Sequence, residues 1–259
     1  TYDYDGRFNI VELPVNYDGN NYSNVSNGTS IKMHLDREPR FYANIGFHHG
    51  FYEITQYDGE ITSDDPAKRV IVEELRNNDR HGKRNQDLYY SVTGYHNKKL
   101  VHPSYEDGVV HYPLPLFRMA EMYLNYAEAV FKYLGGADIT SMEFPMSARA
   151  AASKTRQRAG MPDFEQGMDA NTFWTKLCNE RFVELAFEGH RFWDVRRWKE
   201  ADKYFKNIVE MKLVKEADGS ITYVRKNVSR QWDDKMYLFP IPQSERSKNP
   251  NLTQNPGWE

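Results

Sequence analysis

Three glutamates, Glu180, Glu184 and Glu188, recur every four residues in a segment whose apolar spacing predicts an α-helix. Paired acids could catalyse glycoside hydrolysis, which needs two carboxyl groups about 5 Å or about 6.5–9.5 Å apart around one sugar bond. The same segment carries several arginines, namely Arg181, Arg191, Arg196 and Arg197. Because carboxylates and guanidiniums at helical spacing pair with each other, we interpret the glutamates as structural braces and predict no catalytic residue. Hydrolysis by these acids is the alternative.

Histidine and cysteine do not form a metal-binding pattern in this sequence. His48 and His49 are adjacent, which favours a pair on the surface, and no His-x-His or His-x3-His pair with acidic support occurs. Cys178 is the only cysteine, so it cannot complete a zinc site or an intrachain disulfide. Phosphate-binding glycine loops and nucleophile elbows are also missing. The sequence therefore predicts no metal site and no cofactor, and a generic cation site at Asp58, Asp64 or Asp65 stays an alternative.

Aromatic residues are the unusual part of the composition, with 18 Tyr, 14 Phe and 5 Trp among 259 residues. Flat rings with polar edges could form a tyrosine-rich core or could stack on sugar rings, and composition does not separate these uses. The net charge of −3 argues against nucleic acid as the main partner, because phosphate binding requires a concentrated basic face. No run of about 18 apolar residues predicts a membrane-spanning helix.

The best positions for sugar contacts are polar loop residues outside the predicted helices. Tyrosine rings beside asparagine amides could stack on a pyranose and donate hydrogen bonds to its hydroxyls. Such residues occur in the Asn- and Gly-rich stretch near residue 20 and in the other polar loops before residue 110. The candidate glycan-binding residues are Tyr17, Asn20, Asn21, Tyr22, Tyr57 and Tyr95.

The elements that must position these loops are mainly helices. Apolar residues at steps of three and four predict helices at 115–134, 144–159 and 170–198, the last with a further helix beyond Gly189. Helix pairs joined by short Gly and Pro turns are typical of tetratricopeptide-like repeats. The large aromatic residues of these helices are expected in the core, including Phe192, Trp174, Trp193 and Trp198.

After residue 208 the apolar period changes from helical to alternating. Residues 209–215 and 221–228 alternate on either side of Asp218-Gly219, a turn dipeptide that predicts a β-hairpin. The tail from Tyr237 to Glu259 contains four prolines and is predicted to be extended. The sequence thus predicts a mainly α fold with long loops and a small β-hairpin.

Four segments in order resemble the carboxy-terminal part of SusD/RagB proteins. The third segment is the most specific, because it is close to a signature of that family by itself. The segments are DREPRFY at 36–42, PLFRMAEMYLNYAEA at 115–129, NERFVELAFEGHRFWDVRRW at 179–198, and YLFPIPQSE with NPNLTQNPGW between 237 and 258. Together they span nearly the whole chain.

The resemblance implies a non-enzymatic protein of the bacterial outer membrane. Such proteins are lipid-anchored at the cell surface, bind oligosaccharides or polysaccharides, and deliver them to a SusC-like TonB-dependent porin. Family members are longer and begin with an acylated cysteine, so residues 1–259 are expected to be a carboxy-terminal domain that contacts the membrane only through the anchor of the parent protein. The rival functions are a glycoside hydrolase and a helical-repeat scaffold for protein partners.

Overall fold

The computed structural model describes residues 34, 37–47, 50–52, 70–71, 95–101, 115–215 and 221–259. For residues 51–52, 70–71, 207–215 and 221–226 it describes the backbone only. The chain divides into two compact units, Thr1–Phe187 and Glu188–Glu259.

The described residues of the first unit form mainly helices. Its helices are α1 (Pro39–Asn44), α2 (Met119–Leu134), α3 (Ala148–Arg158) and α4 (Ala170–Glu184). Two short antiparallel strand pairs accompany them: β1 (Ile45–Gly46) with β4 (His96–Asn97), and β2 (Phe51–Tyr52) with β3 (Val70–Ile71).

The core of this unit lies where α2 packs against α3 and α4. Leu124 and Ala127 on α2 are fully buried, as the predicted apolar stripe requires. Small buried alanines on both helices allow α2 and α3 to approach closely. The aromatic part of the core includes Phe131 and Phe173, whose ring centroids lie 5.1 Å apart.

Local signals set the ends of these helices. The hydroxyl of Ser147 accepts a hydrogen bond from the Ala150 amide at 3.2 Å, so α3 begins four residues later than the predicted start at 144. Arg118 is extended at φ −141°, so α2 begins at Met119, and Leu116 and Phe117 precede the helix with 80% and 77% exposure. The predicted helical stripe is therefore wrong for these two residues.

The second unit combines short helices with a long hairpin. Its elements are α5 (His190–Arg197), α6 (Ala201–Phe205), β5 (Asn207–Lys215), β6 (Ile221–Ser229), a 3-10 turn (Asp234–Tyr237) and α7 (Gln243–Lys248). A break separates α4 from α5, as the sequence predicts, and Gly189 adopts the left-handed backbone at φ +80° there.

The hairpin prediction is confirmed for its two strands. Strand β5 pairs antiparallel with β6 from Asn207 opposite Ser229 to Lys215 opposite Ile221. The predicted turn at Asp218-Gly219 lies outside the described residues. The tail is less extended than predicted, because Pro242 adopts φ −55° and directly precedes helix α7.

Candidate functional site

The two predicted brace glutamates of α4 lie in a buried cluster of charges. Glu180 is 2% exposed and Glu184 is 1% exposed. One nitrogen of Arg40, Nη1, donates to both carboxylates, at 2.6 Å to Glu180 Oε1 and 2.9 Å to Glu184 Oε2. Arg40 is itself 6% exposed and is also held by Glu38, whose Oε1 accepts from its Nε at 2.7 Å.

Further donors reach the same two carboxylates from α3 and from the residue before α2. Arg118 Nη1 donates to Glu184 Oε1 at 2.7 Å, and Arg158 Nη2 donates to both oxygens of that carboxylate at 2.9 Å. Thr155 Oγ1 donates to Glu180 Oε1 at 2.7 Å. The arginine–glutamate cluster, as we call Arg40, Arg118, Arg158, Glu180 and Glu184, therefore joins α1, α3 and α4 to the start of α2.

The prediction of structural bracing is confirmed for Glu184, but the sequence indicated the wrong partners. The Nη1 of Arg181 donates to Asn125 Oδ1 on helix α2 at 2.6 Å. The partners of Glu180 and Glu184 come instead from distant segments that helical spacing cannot identify. Glu188 is half-buried, and its predicted bracing role stays a prediction.

The electrostatics of Glu184 favour the charged carboxylate at neutral pH. Burial alone would raise the pKa of Glu184, but hydrogen bonds from Arg118 and Arg40 and the charges of Arg118 and Arg158 lower it below its ordinary value. A general acid for glycoside hydrolysis needs a raised pKa. Glu184 thus lacks the property required of that acid, and Arg40 occupies the space between it and Glu180.

The C-terminal end of α4 is held by cations. The backbone oxygen of Glu184 accepts hydrogen bonds from Lys99 Nζ and from Arg118 Nη2, each at 2.6 Å. The last carbonyls of a helix carry partial negative charge and have no partner within the helix. Lys99 and Arg118 therefore supply the missing donors and complement the helix dipole.

Tyr95 is the one candidate glycan-binding residue that the structure describes. Its hydroxyl lies 2.9 Å from His34 Nε2, and the two rings meet edge to face with centroids 5.5 Å apart. His34 also packs on Phe47 at 4.8 Å between centroids. Burial raises the pKa of Tyr95, and burial together with the charge of Arg37 lowers the pKa of His34 to about 3.

The other candidate glycan-binding residues and the adjacent histidine pair lie outside the described residues. These are Tyr17, Asn20, Asn21, Tyr22 and Tyr57, together with His48 and His49. In the part of the chain that the structure describes, no three His, Cys, Asp or Glu side chains form a potential metal site. Within that part, every helix is too short or too polar to cross a membrane.

The second unit exposes rings that the sequence placed in the core. Trp193 is 60% exposed, Phe239 is 53% exposed and Phe192 is 39% exposed, so the prediction of buried Phe192 and Trp193 is wrong. The three rings contact one another, with centroids 5.0 Å apart for Phe192 and Trp193 and 6.1 Å apart for Trp193 and Phe239. We call these three residues the Trp193 patch. Of the other predicted core tryptophans, Trp174 and Trp198 are half-buried.

Arg196 lies against the Trp193 patch. Its guanidinium carbon is 3.6 Å from the centroid of the Phe192 ring and 5.6 Å from that of Phe239. Its Nη1 donates to the backbone oxygen of Phe192 at 3.0 Å, while its buried Nε has no hydrogen-bond partner. Burial lowers the pKa of this guanidinium. The sequence offered no signal for this arrangement, because Phe239 is 43 positions from Arg196.

A sequence model of the SusD family matches residues 3–258. The chain belongs to the SusD family. The comparison with solved structures finds a SusD-like protein from Bacteroides fragilis with a TM-score of 0.64 and 29% sequence identity. The match covers 93% of the present chain and 41% of that SusD-like chain. No curated protein matches the chain.

The SusD-like neighbour confirms the mainly α fold with tetratricopeptide-like helices and a small hairpin. Side chains of the four segments that resemble SusD proteins contact one another within each of the two units. Arg40, Arg118 and Glu184 bring the first three segments into the arginine–glutamate cluster. Trp193 of the third segment and Phe239 of the fourth meet in the Trp193 patch. The first two segments therefore contribute to a buried cluster that braces the helices, the fourth to an exposed cluster, and the third to both.

Proposed function

We propose that the chain is part of a non-catalytic surface protein that binds oligosaccharides or polysaccharides for nutrient uptake. The observation that carries the proposal is the match to the SusD family over residues 3–258, because membership supports a carbohydrate-binding role in uptake. In the parent protein, residues 1–259 would form the carboxy-terminal domain. The parent would be lipid-anchored at the bacterial outer membrane and would deliver glycans to a SusC-like TonB-dependent porin.

The environment of the α4 glutamates argues for binding without chemistry. Glu180 and Glu184 are buried, share one arginine nitrogen, and offer no space for a sugar bond between them. A hydrolase would need both carboxyl groups to face the substrate. Incubating the chain with mixed polysaccharides should release no reducing ends, and release that disappears in Glu180→Gln or Glu184→Gln would support the hydrolase instead.

The contacts we propose for the glycan are aromatic platforms on the loops before residue 110. Sugar rings offer apolar CH faces to aromatic rings and hydroxyls to neighbouring amides. These platforms and amides are Tyr17, Asn20, Asn21, Tyr22, Tyr57 and Tyr95. Tyr95 packs on His34, so its hydroxyl serves that hydrogen bond and its ring supplies the contact. Several weak platforms favour rapid release, which suits transfer to a porin.

Affinity electrophoresis on a polysaccharide panel tests the proposal. The wild-type chain should be retarded by at least one glycan, and a Tyr17→Ala, Tyr22→Ala and Tyr57→Ala triple variant should bind it roughly tenfold or more weakly, since each ring contributes about 0.5–1.5 kcal/mol. Tyr133→Ala is the matched control, because Tyr133 is 74% exposed on helix α2.

Each outcome bears on a different part of the proposal. Equal binding by a folded triple variant would contradict the placement of the site on these loops. Absence of retardation on every glycan, together with capture of a membrane protein, would favour the helical-repeat scaffold. Tyr95 is best tested as Tyr95→Phe, which removes the hydroxyl bonded to His34 but keeps the ring.

A further inference from the structure

The Trp193 patch and Arg196 combine two recognition elements on one surface of the second unit. Trp193 and Phe239 present rings that are 60% and 53% exposed, and such rings can stack on the CH face of a sugar. Arg196 lies beside them, 5.6 Å from the centroid of the Phe239 ring. A ligand that stacked on Phe239 would therefore place its substituents near the guanidinium.

The charge of Arg196 is not matched by a carboxylate within the described residues. Its polar contact there is the backbone oxygen of Phe192, and its other neighbours are the rings of Phe192, Phe205, Trp232 and Phe239. The adjacent Arg197 differs, because its Nη2 lies 2.8 Å from Asp194 Oδ1. Among the described residues, Arg196 is thus a cation surrounded by aromatic rings and one backbone oxygen, with no carboxylate in ion-pair distance.

The charge balance of the sequence is consistent with an anionic ligand on this unit. Residues 188–259 contain 14 Lys and Arg against 11 Asp and Glu, whereas residues 1–187 contain 20 against 26. The second unit therefore carries net positive charge in a chain whose net charge is −3. A net positive charge attracts anions over roughly a Debye length, about 8–10 Å at physiological salt.

We propose that the Trp193 patch and Arg196 bind acidic oligosaccharides, with sugar rings on Trp193 and Phe239 and a uronate carboxylate on Arg196. This inference rests on the proposed glycan-binding function and adds to the proposed loop site a second contact surface with its own substrate class. The planar guanidinium fork matches a carboxylate, and the pair gains from the desolvated aromatic surroundings. Neutral sugars would retain the stacking contacts and lose the ion pair.

The test compares acidic glycans with neutral copies of the same chains. One affinity gel contains polygalacturonate, alginate or glucuronoxylan, and a second gel contains the carboxyl-reduced form of the same glycan. The migration of residues 1–259 is compared between the two gels of each pair. We expect stronger retardation on at least one carboxylate form than on its reduced form. Arg196→Gln should reduce that binding about tenfold, the effect of one charge-assisted pair, and leave binding to the reduced form unchanged.

Two aromatic variants test the stacking contacts separately from Arg196→Gln. Trp193→Ala and Phe239→Ala should each weaken binding to both forms, and both should fold because the truncated rings are largely exposed. Tyr133→Ala, on helix α2, is the control and should bind as wild type. Rising salt should abolish the preference for the carboxylate form while leaving stacking intact.

Several results would overturn the inference. If the chain binds neutral glycans and is retarded equally on the carboxylate and the reduced form of each glycan, the acidic substrate class is rejected. The proposed glycan-binding function is not affected by that result. Retardation on none of these gels would reject the acidic class, and the wider polysaccharide panel would then decide the proposed function separately. A wild-type dimer that Trp193→Ala converts to a monomer, with glycan binding unchanged, would show that the patch is covered by a second copy of the chain.

Discussion

Arg40 supplies hydrogen bonds to two carboxylates that have almost no access to water. Arg40→Ala would leave Glu180 and Glu184 buried with fewer donors, which should lower the free energy of unfolding by about 3–5 kcal/mol. Urea denaturation measures this loss. Arg149→Ala is the matched control, because its pair with Asp138 is partly exposed and should contribute only about 0–1 kcal/mol. Equal losses from both variants would contradict the bracing role of the cluster.

His34 should make stability depend on pH. Its pKa is 6.5 when unfolded and about 3 when folded, so the unfolded chain binds the extra proton between these values. Stability should therefore fall as the pH drops through this window, by up to about 1.4 kcal/mol per pH unit. His34→Phe should lose the part of the pH dependence of stability that comes from this proton. Urea midpoints measured across this pH window test the expectation. Tyr95→Phe removes the hydroxyl at 2.9 Å but keeps the histidine, so it should retain the slope.

Single residues show where sequence reasoning reaches its limit. The bracing role of Glu184 could be predicted, because a carboxylate among apolar helix positions needs a cationic partner. The identity of Arg40 could not, because it lies 144 positions away. Exposure of Trp193 could not be predicted either, since a ring that packs on Phe192 and Phe239 has the same sequence pattern as a core ring.

At the scale of elements, Gly135 ends helix α2 with φ +79°, a conformation that costs other residues about 1–2 kcal/mol. A Cβ at this position would meet nothing within 4 Å, so the cost of Gly135→Ala is conformational alone. We expect a loss of about 1 kcal/mol in thermal or urea unfolding. Gly135→Asn is the control, since asparagine tolerates this backbone and should cost less. An equal or larger loss for asparagine would indicate a steric cause.

The helices and the hairpin could be predicted because their apolar periods differ. The fully buried Leu124 and Ala127 follow the 3.6-residue period, and β5 and β6 follow the two-residue period. The ends of elements were less predictable, since they depend on backbone states such as the extended Arg118 before α2. The helix α7 in the proline-rich tail was missed because Pro242 both excludes an interior helix position and favours a helix start.

At the scale of the molecule, the arginine–glutamate cluster should make the chain sensitive to acid and insensitive to salt. The pKa of Glu184 is lowered in the folded state, so its contribution is complete above the unfolded value of 4.5 and is lost as pH falls through the folded value. Buried pairs are screened far less than exposed ones. We expect little change in the urea midpoint with added NaCl and a steep fall below pH 4.5.

To check this, the urea midpoint is measured against NaCl concentration and against pH for the wild type and for Glu184→Gln. The variant should be less stable at neutral pH, because three arginines lose a charged partner, and part of its acid sensitivity should disappear. A strong salt dependence in the wild type would mean that the stabilising charges are the exposed ones, such as Lys248 with Glu245.

The arginine–glutamate cluster also has an evolutionary consequence. Its charges come from four segments, around Arg40, Arg118, Arg158 and Glu184. A substitution that removes or reverses the charge in one segment leaves buried charges in the others without their partner. We expect homologous sequences either to keep all the charged residues of the cluster or to replace several of them in the same lineage. Homologues that lack Arg40 should carry a neutral residue in place of Glu180 or Glu184. A chimaera that joins the segment around position 40 from such a homologue to an α4 segment that keeps both glutamates should fail to fold.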